Sequence, residues 1–258
     1  MTQWTVLLTD LRHSGCLVEL AECLLYGLRG LGLNADLSRR PLPGTRHIVL
    51  DAHRLTEIPS DSIIYQTEVP GSGWWNAAYL DKLRRHEVWE YSEENAPRYA
   101  DYGLTPPKVV SPGWVLELER IPIDQSKEID VLFYGSPCER RTQVMHDLTV
   151  QGLKTMWLLS FYGQERDVYI ARSKVVLSMH FYPNAPRDHA RTFYLYTNHV
   201  AVVAESSAGF TGTAFNQLAP ECRRLIDTQQ YKKLGGEGYD QIRARPMAET
   251  IGAALQAP

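Results

Sequence analysis

At 258 residues, with 44% hydrophobic and 22% charged side chains, the chain has the make-up of one large globular domain or two ordinary ones. That length builds a core without disulfides or structural metal. A formal charge of −3 argues against broad attraction to nucleic acid or anionic membrane.

The first residues, MTQWTVLLTDLRHSG, read as a strand with no basic segment ahead of an apolar run, so no signal peptide is expected. No apolar stretch approaches the ~20 residues of a membrane span. Cys16, Cys23, Cys138 and Cys222 form no CxxC pair, and such scattered thiols predict a reducing, cytoplasmic setting.

Residues 4–9 predict a buried strand and residues 15–31 a helix, with Leu17, Leu20, Leu24, Leu28 and Leu31 at helical spacing and Ser14 in capping position. Strands are expected over residues 34–37, 47–52 and 61–67. The loop Pro70-Gly-Ser-Gly73 opens a helix over 74–85, followed by a strand over 86–91. Ser92 starts a helix ending at Gly103, and residues 108–111 close the first half. Residues 121–127 read as a linker, which divides the chain into domains 1–122 and 123–258. The second half repeats the alternation, with strands over 129–134, 154–159, 174–180 and 200–204. Its helices fall over 140–151, 164–172, 188–198 and 220–226, then 229–234, 239–243 and 247–255. Such alternation predicts α/β architecture: two Rossmann-like domains with parallel sheets and helices on both faces, the N-terminal one small.

In such sheets ligands sit beyond the carboxyl ends of the strands. The segments to inspect are therefore residues 10–14, 51–53 and 68–73 in the first half, and 135–141, 160–163, 180–183 and 205–209 in the second. Asp130-Val-Leu-Phe-Tyr-Gly135-Ser136 followed by Glu139-Arg140-Arg141 is the most distinctive. A strand ending in Gly-Ser at a helix start offers backbone N–H groups and a positive dipole end to an anion, and Arg140 and Arg141 add charge. The competing reading is an ordinary strand–helix turn with a solvated basic face. There is neither a P-loop nor a GxGxxG, which argues against a nicotinamide dehydrogenase.

Six segments together resemble the GT-B glycosyltransferases, and more closely a poorly characterised bacterial glycosyltransferase-like group. They are EVWEYSEEN (87–95), VVSPGW (109–114), DVLFYGSPCERR (130–141), ERDVYIARSKVVLSMHFY (165–182), DHARTFYLYTNHVAVVAE (188–205) and RARPMAE (243–249). The resemblance implies a nucleotide-diphosphate sugar, such as a UDP-sugar, as co-substrate on the C-terminal domain and an unidentified acceptor on the N-terminal one. It implies no bound cofactor and no metal, with helix N-termini and basic side chains stabilising the leaving diphosphate. Two departures stand out: the group often carries Glu where Asp188 stands, and the chain is short for a two-domain glycosyltransferase.

On that basis Gly135, Ser136, Arg140 and Arg141 are expected at the diphosphate, with His180 assisting or simply structural. Tyr162 and Gly163 frame the base, or Tyr162 closes the core. Asp188, Arg191, Thr192 and Glu205 orient ribose and sugar; Asp188 and Arg191, three apart, also suit a surface ion pair, and Glu205 a cap. An inverting transfer needs a base: His13 with Asp10, or Glu68 in competition. Trp74 and Trp75 form an acceptor platform or the buried start of a helix. The alternatives in function are a non-catalytic nucleotide-sugar-binding protein and a sugar-nucleotide epimerase on the same fold.

Overall fold

The computed structural model describes residues 2–9, 14–122, 126–183, 185–207 and 212–257. The chain forms two compact units, Met1–Val115 with Arg245–Pro258, and Leu116–Ala244.

The first unit holds a sheet of β1 (Gln3–Leu7), β2 (Ala35–Ser38), β3 (Thr45–Val49), β4 (Ile63–Gln66), β5 (Glu87–Glu90) and β6 (Lys108–Val109). Its order is β2-β1-β3-β4-β5-β6, and every pair is parallel. α1 (Val18–Gly30) follows β1, and α2 (Ala77–Arg85) follows β4. The strands read as near-continuous apolar runs because helices cover both faces. One face buries Leu7, Val49 and Ile64 against Trp75, Tyr79, Leu83, Tyr99 and Leu104. Asn76 caps α2 by accepting from the Tyr79 amide at 3.1 Å. The helix expected over 92–103 is a 3₁₀ segment, Ala96–Tyr102, stopped by Gly103 at φ 62°.

The second unit holds β7 (Ile129–Tyr134), β8 (Thr155–Leu158), β9 (Ser173–Ser178) and β10 (Val202–Ala204), parallel and ordered β10-β9-β7-β8. α3 (Glu139–Val150), α4 (Gly163–Ala171) and α5 (His189–Thr197) connect the strands, and α6 (Leu218–Asp227) and α7 (Tyr231–Arg243) follow. Val131, Phe133, Val175, Leu177 and Val203 pack against Met145, Leu148, Leu218, Cys222 and Leu225.

Two further features differ from the sequence expectation. The expected domain boundary after residue 122 lies instead after Val115, and the tail expected in the second domain belongs to the first unit. The reason is α8 (Met247–Gln256), which packs on α1. A Cβ at Gly27 would lie 2.7 Å from Met247 Cγ and from Ile251 Cδ1, so only glycine admits this approach. Lys108 Nζ donates to the carbonyls of Ala254 (3.2 Å) and Ala257 (2.8 Å), closing the C-terminal end of α8. Second, the two short helices expected near 229–243 are one helix, α7. Its glycines are contact points: a Cβ at Gly235 would lie 2.3 Å from the His199 carbonyl, and one at Gly238 2.5 Å from Tyr196 Cδ1. Among the described residues, no helix is long and apolar enough to cross a membrane.

Candidate functional site

In the first unit the strand order reverses at β1 and β3, so the crevice of a doubly wound sheet falls at their carboxyl ends. Just after β3, Asp51 adopts φ 59° and starts a 3₁₀ turn, Ala52–Arg54. β3 pairs with β4, so this turn meets the segment after β4. The result is a cluster of Asp51, His53 and Glu68. His53 Nε2 lies 3.6 Å from Asp51 Oδ1 and 3.6 Å from Glu68 Oε1. Arg54 Nε donates to His53 Nε2 at 3.1 Å, which makes that nitrogen an acceptor. Trp74 covers the group, its ring 4.7 Å from the His53 ring, and the Arg54 guanidinium lies 5.1 Å from the Trp74 ring.

Glu68 is held from behind. Gln66 Oε1 accepts from the Glu68 amide at 2.6 Å, and Gln66 Nε2 donates to the Glu68 carbonyl at 2.7 Å. Gln66 is fixed by Tyr79 Oη (3.1 Å) and by the buried carboxylate of Glu90 (3.3 Å). Glu90 also accepts from the Ser92 amide, Asn95 Nδ2 and Tyr99 Oη. Five bonds converging on Gln66 and Glu90 from four elements of the first unit fix the geometry behind Glu68, although the buried Asn95 Oδ1 has no hydrogen-bond partner among the described residues.

Burial, and then the Asp51 charge, push the Glu68 carboxyl up to about 7, with Arg54 opposing. Burial, then Arg54 and Lys82, hold His53 down at about 4. Near neutral pH the cluster therefore pairs a neutral imidazole with a carboxyl poised to exchange a proton. Ligand atoms of Asp51, His53 and Glu68 all lie within 4.8 Å of one another, a spacing compatible with a cation. The Arg54 guanidinium already supplies positive charge at the acceptor nitrogen, so these residues fit proton transfer better than a metal.

The second unit reverses its strand order at β7 and β9. There Gly135, at φ 135°, ends β7. Its N–H donates to the Leu158 carbonyl at 3.2 Å and its carbonyl accepts from Trp157 Nε1 at 2.9 Å, so the turn is pinned to β8 and the Gly135 amide is not open to a ligand. Arg141, on the first turn of α3, bridges the ends of β7 and β9. It donates to the carbonyls of Ser136 (2.8 Å) and Met179 (2.6 Å). Its buried Nε has no hydrogen-bond partner. Arg191 reaches the same place from α5: a Cβ at Gly135 would lie 3.4 Å from Arg191 Nη2 and 3.5 Å from Arg141 Nη1. Burial, and then the neighbouring Arg191, pull the Arg141 guanidinium down to about 10. A buried Arg141 with an unfilled donor beside a partly buried Arg191, which is paired with Asp188, forms a cradle that an anion would complete.

The other expected donor residues take different parts. Arg140 is committed to Glu205 by a two-pronged pair at 2.9 and 2.6 Å, and to the His180 carbonyl at 2.9 Å. Glu205 in turn accepts from the His180 amide at 2.9 Å, so Arg140 and Glu205 brace the ends of β9 and β10. The His180 side chain is buried, its Nδ1 3.8 Å from Glu205 Oε1. Asp188 caps α5, accepting from the Arg191 amide (3.1 Å) and Arg191 Nε (3.2 Å). Thr192 is buried and donates to the Asp188 carbonyl at 3.1 Å. Tyr162 and Gly163 start α4, with Gly163 at φ 52°. Leu159 (51% exposed), Phe181 (40%) and Tyr182 (50%) give the rim of these strand ends an open apolar surface.

Trp74 and Trp75 separate. Trp74 lies over His53, whereas Trp75 is core, edge-on to Tyr79 and Tyr99. Asp10 and His13 lie outside the described residues. Arg54 was not anticipated, and residues 51–53 were reached only as a strand end. No sequence signal says that β3 and β4 are neighbours, and that adjacency is what joins Asp51 and His53 to Glu68.

No protein-family model matches the chain. An uncharacterised protein of Acanthamoeba polyphaga mimivirus is 35% identical over 65 residues, 25% of this chain, and the match spans 7% of that relative's length. Among solved structures, T4 phage BGT in complex with UDP and Mn2+ aligns over 100% of both chains with TM-score 0.59 and 10% identity. The same phage enzyme with its UDP-glucose substrate aligns over 99% of both at 0.56 and 11%. AviGT4, a glycosyltransferase involved in avilamycin A biosynthesis, covers 100% of this chain and 99% of its own at 0.58 and 13%. The chain thus has the GT-B α/β fold of these glycosyltransferases, with two parallel sheets.

Proposed function

We propose that this chain is a glycosyltransferase that moves a sugar from a nucleoside-diphosphate donor to an acceptor hydroxyl. The observation that carries the reading is the buried Arg141, with its unpartnered Nε, next to the Arg191 guanidinium at the strand-order reversal of the second sheet. A diphosphate supplies the counter-charge and the acceptor oxygens that Arg141 lacks, beside an Arg191 already paired with Asp188. The fold shared with UDP-binding glycosyltransferases supports the same reading and makes UDP the first nucleotide to try.

In the second unit the diphosphate lies on Arg141, Arg191 and the Ser136 turn, and the base on the apolar rim beside Tyr162. In the first unit Glu68 is the base. The acceptor oxygen gives its proton to Glu68 as it attacks the anomeric carbon, the bond from that carbon to the diphosphate oxygen breaks, and configuration inverts. Arg141 and Arg191 neutralise the leaving diphosphate, so the step needs no metal. Gln66 holds Glu68 in place through its backbone, neutral His53 lies beside it, and Trp74 offers its open face to the acceptor.

The test is a panel of nucleotide sugars scored by thermal shift, followed by assay of nucleoside diphosphate release with and without acceptors. Stabilisation by a UDP-sugar, with acceptor-dependent release lost in Arg141→Gln, supports the reading. Interconversion of donor sugars without diphosphate release would overturn it in favour of an epimerase, and a folded Arg141→Gln protein with unchanged donor affinity would remove the diphosphate assignment.

A further inference from the structure

The second unit contains a cavity of about 550 Å³ that the transfer reaction does not use. It lies at the amino ends of β9 and β10, where Ser173 and Ala201 line it, whereas the Arg141 cradle lies at the carboxyl ends. A strand of this length rises roughly 20 Å, so the two places are separate. The volume falls in the range of small-molecule sites.

One wall is apolar, with Ile121, Ile170 and Val200. The remainder carries Lys127, Lys174, Lys232 and His199, and none of the described lining residues is acidic. Lys174 is neutralised by Asp130 at 2.5 Å. Among the described residues Lys127 has no such acidic partner. Its half-buried ammonium donates to the Ala171 carbonyl at 2.7 Å, and burial lowers its pKa. That bond uses one of three ammonium donors and covers the negative end of α4, which an incoming anion would otherwise face.

The space is built by unusual backbone. His199 follows α5 in the left-handed region at φ 57°, a conformation that is strained for a residue other than glycine. Its ring stacks on Tyr239 at 3.7 Å, and its Nε2 meets Glu119 at 3.3 Å. Gly235 lets α7 press on the His199 carbonyl, which brings Lys232 and Gly236 to the cavity. A Cβ at Gly236 would meet nothing within 4 Å, so that face of α7 borders open volume.

We propose that this cavity is a second ligand site, for a small organic anion with an apolar body and one phosphate or carboxylate group. The apolar body lies on the Ile121–Ile170–Val200 wall, and Lys127 and Lys232 hold the anionic group. The ligand replaces water around Lys127 with a counter-charge.

The experiment is a fluorescence titration of the full chain with the amphipathic anion 8-anilinonaphthalene-1-sulfonate, with UDP in excess to occupy any donor site. Saturable binding is expected, weakened at least tenfold in Lys127→Met/Lys232→Met. Gly236→Leu, which fills the cavity from a position free of contacts, is expected to weaken it equally. Displacement by octanoate marks a carboxylate ligand, and displacement by inorganic pyrophosphate a phosphate ligand. Undiminished binding in the folded lysine double variant, displacement by neither competitor, or loss of the signal on adding UDP would each overturn the proposal. Should Gly236→Leu fail to fold, the lysine variant alone decides.

Discussion

Glu68 and His53 move in opposite directions from one cause, because burial favours the neutral form of each group. A base with its pKa near 7 is ionised only above that pH, so kcat/KM is expected to rise with pH through about 7. His53, held near 4, adds no limb in that window. Glu68→Gln is expected to lower kcat by roughly 10²–10⁴-fold and to abolish the limb, read from pH–rate profiles. The same shift has a stability sign. The folded state prefers the proton on Glu68, so its contribution is full below the ordinary value of 4.5 and is lost as pH rises through about 7. Chemical denaturation across that interval should show this fall in wild type and a flatter curve in Glu68→Gln. The two adjacent arginines should separate in the same way. Arg141→Gln is expected to weaken UDP binding at least tenfold, and to lower stability less than Arg140→Gln because the bonds it loses, to the Ser136 and Met179 carbonyls, leave no buried charge behind. Arg140→Gln leaves the buried Glu205 carboxylate without its partner and should cost about 3 kcal/mol in denaturant melts. Read in sequence, Arg140-Arg141 is a doublet of equivalent charges; the pairing of one with Glu205, 65 residues away, is invisible there.

Elements were largely legible because parallel strands buried on both faces announce themselves as apolar runs, and β7 matches its expected span from Ile129 to Tyr134. One exception, α7, shows where local rules stop. Gly235, Gly236 and Gly238 suggest a break, yet two of them are where the helix touches backbone or ring. That contrast is testable. Gly236→Ala faces open volume and should stabilise by roughly 1 kcal/mol through helix propensity. Gly235→Ala places a methyl 2.3 Å from the His199 carbonyl and should lower the melting temperature. Opposite signs at adjacent residues would separate packing from propensity; a gain at both would refute the contact.

At the level of the whole chain, the second unit is inserted between the body of the first and its last helix. α8 closes the α1 face through Met247 and Ile251, and Trp114 is tied to it by bonds to the Arg245 carbonyl (2.9 Å) and from the Met247 amide (3.0 Å). Truncation after residue 244 is therefore expected to expose α1 and loosen the first sheet while leaving the second intact, a difference that hydrogen exchange reads directly. Uniform protection after truncation would contradict the division into units. Periodicity and turn chemistry, which are local, were enough to announce an α/β chain of two parallel sheets. Long-range pairing settled the rest: that β3 lies beside β4 and so gathers Asp51, His53 and Glu68, that Arg140 belongs to Glu205 while Arg141 and Arg191 share one cradle, and that the tail folds back on α1. Those outcomes depend on which surfaces meet in space, and no residue carries that information in its immediate neighbours.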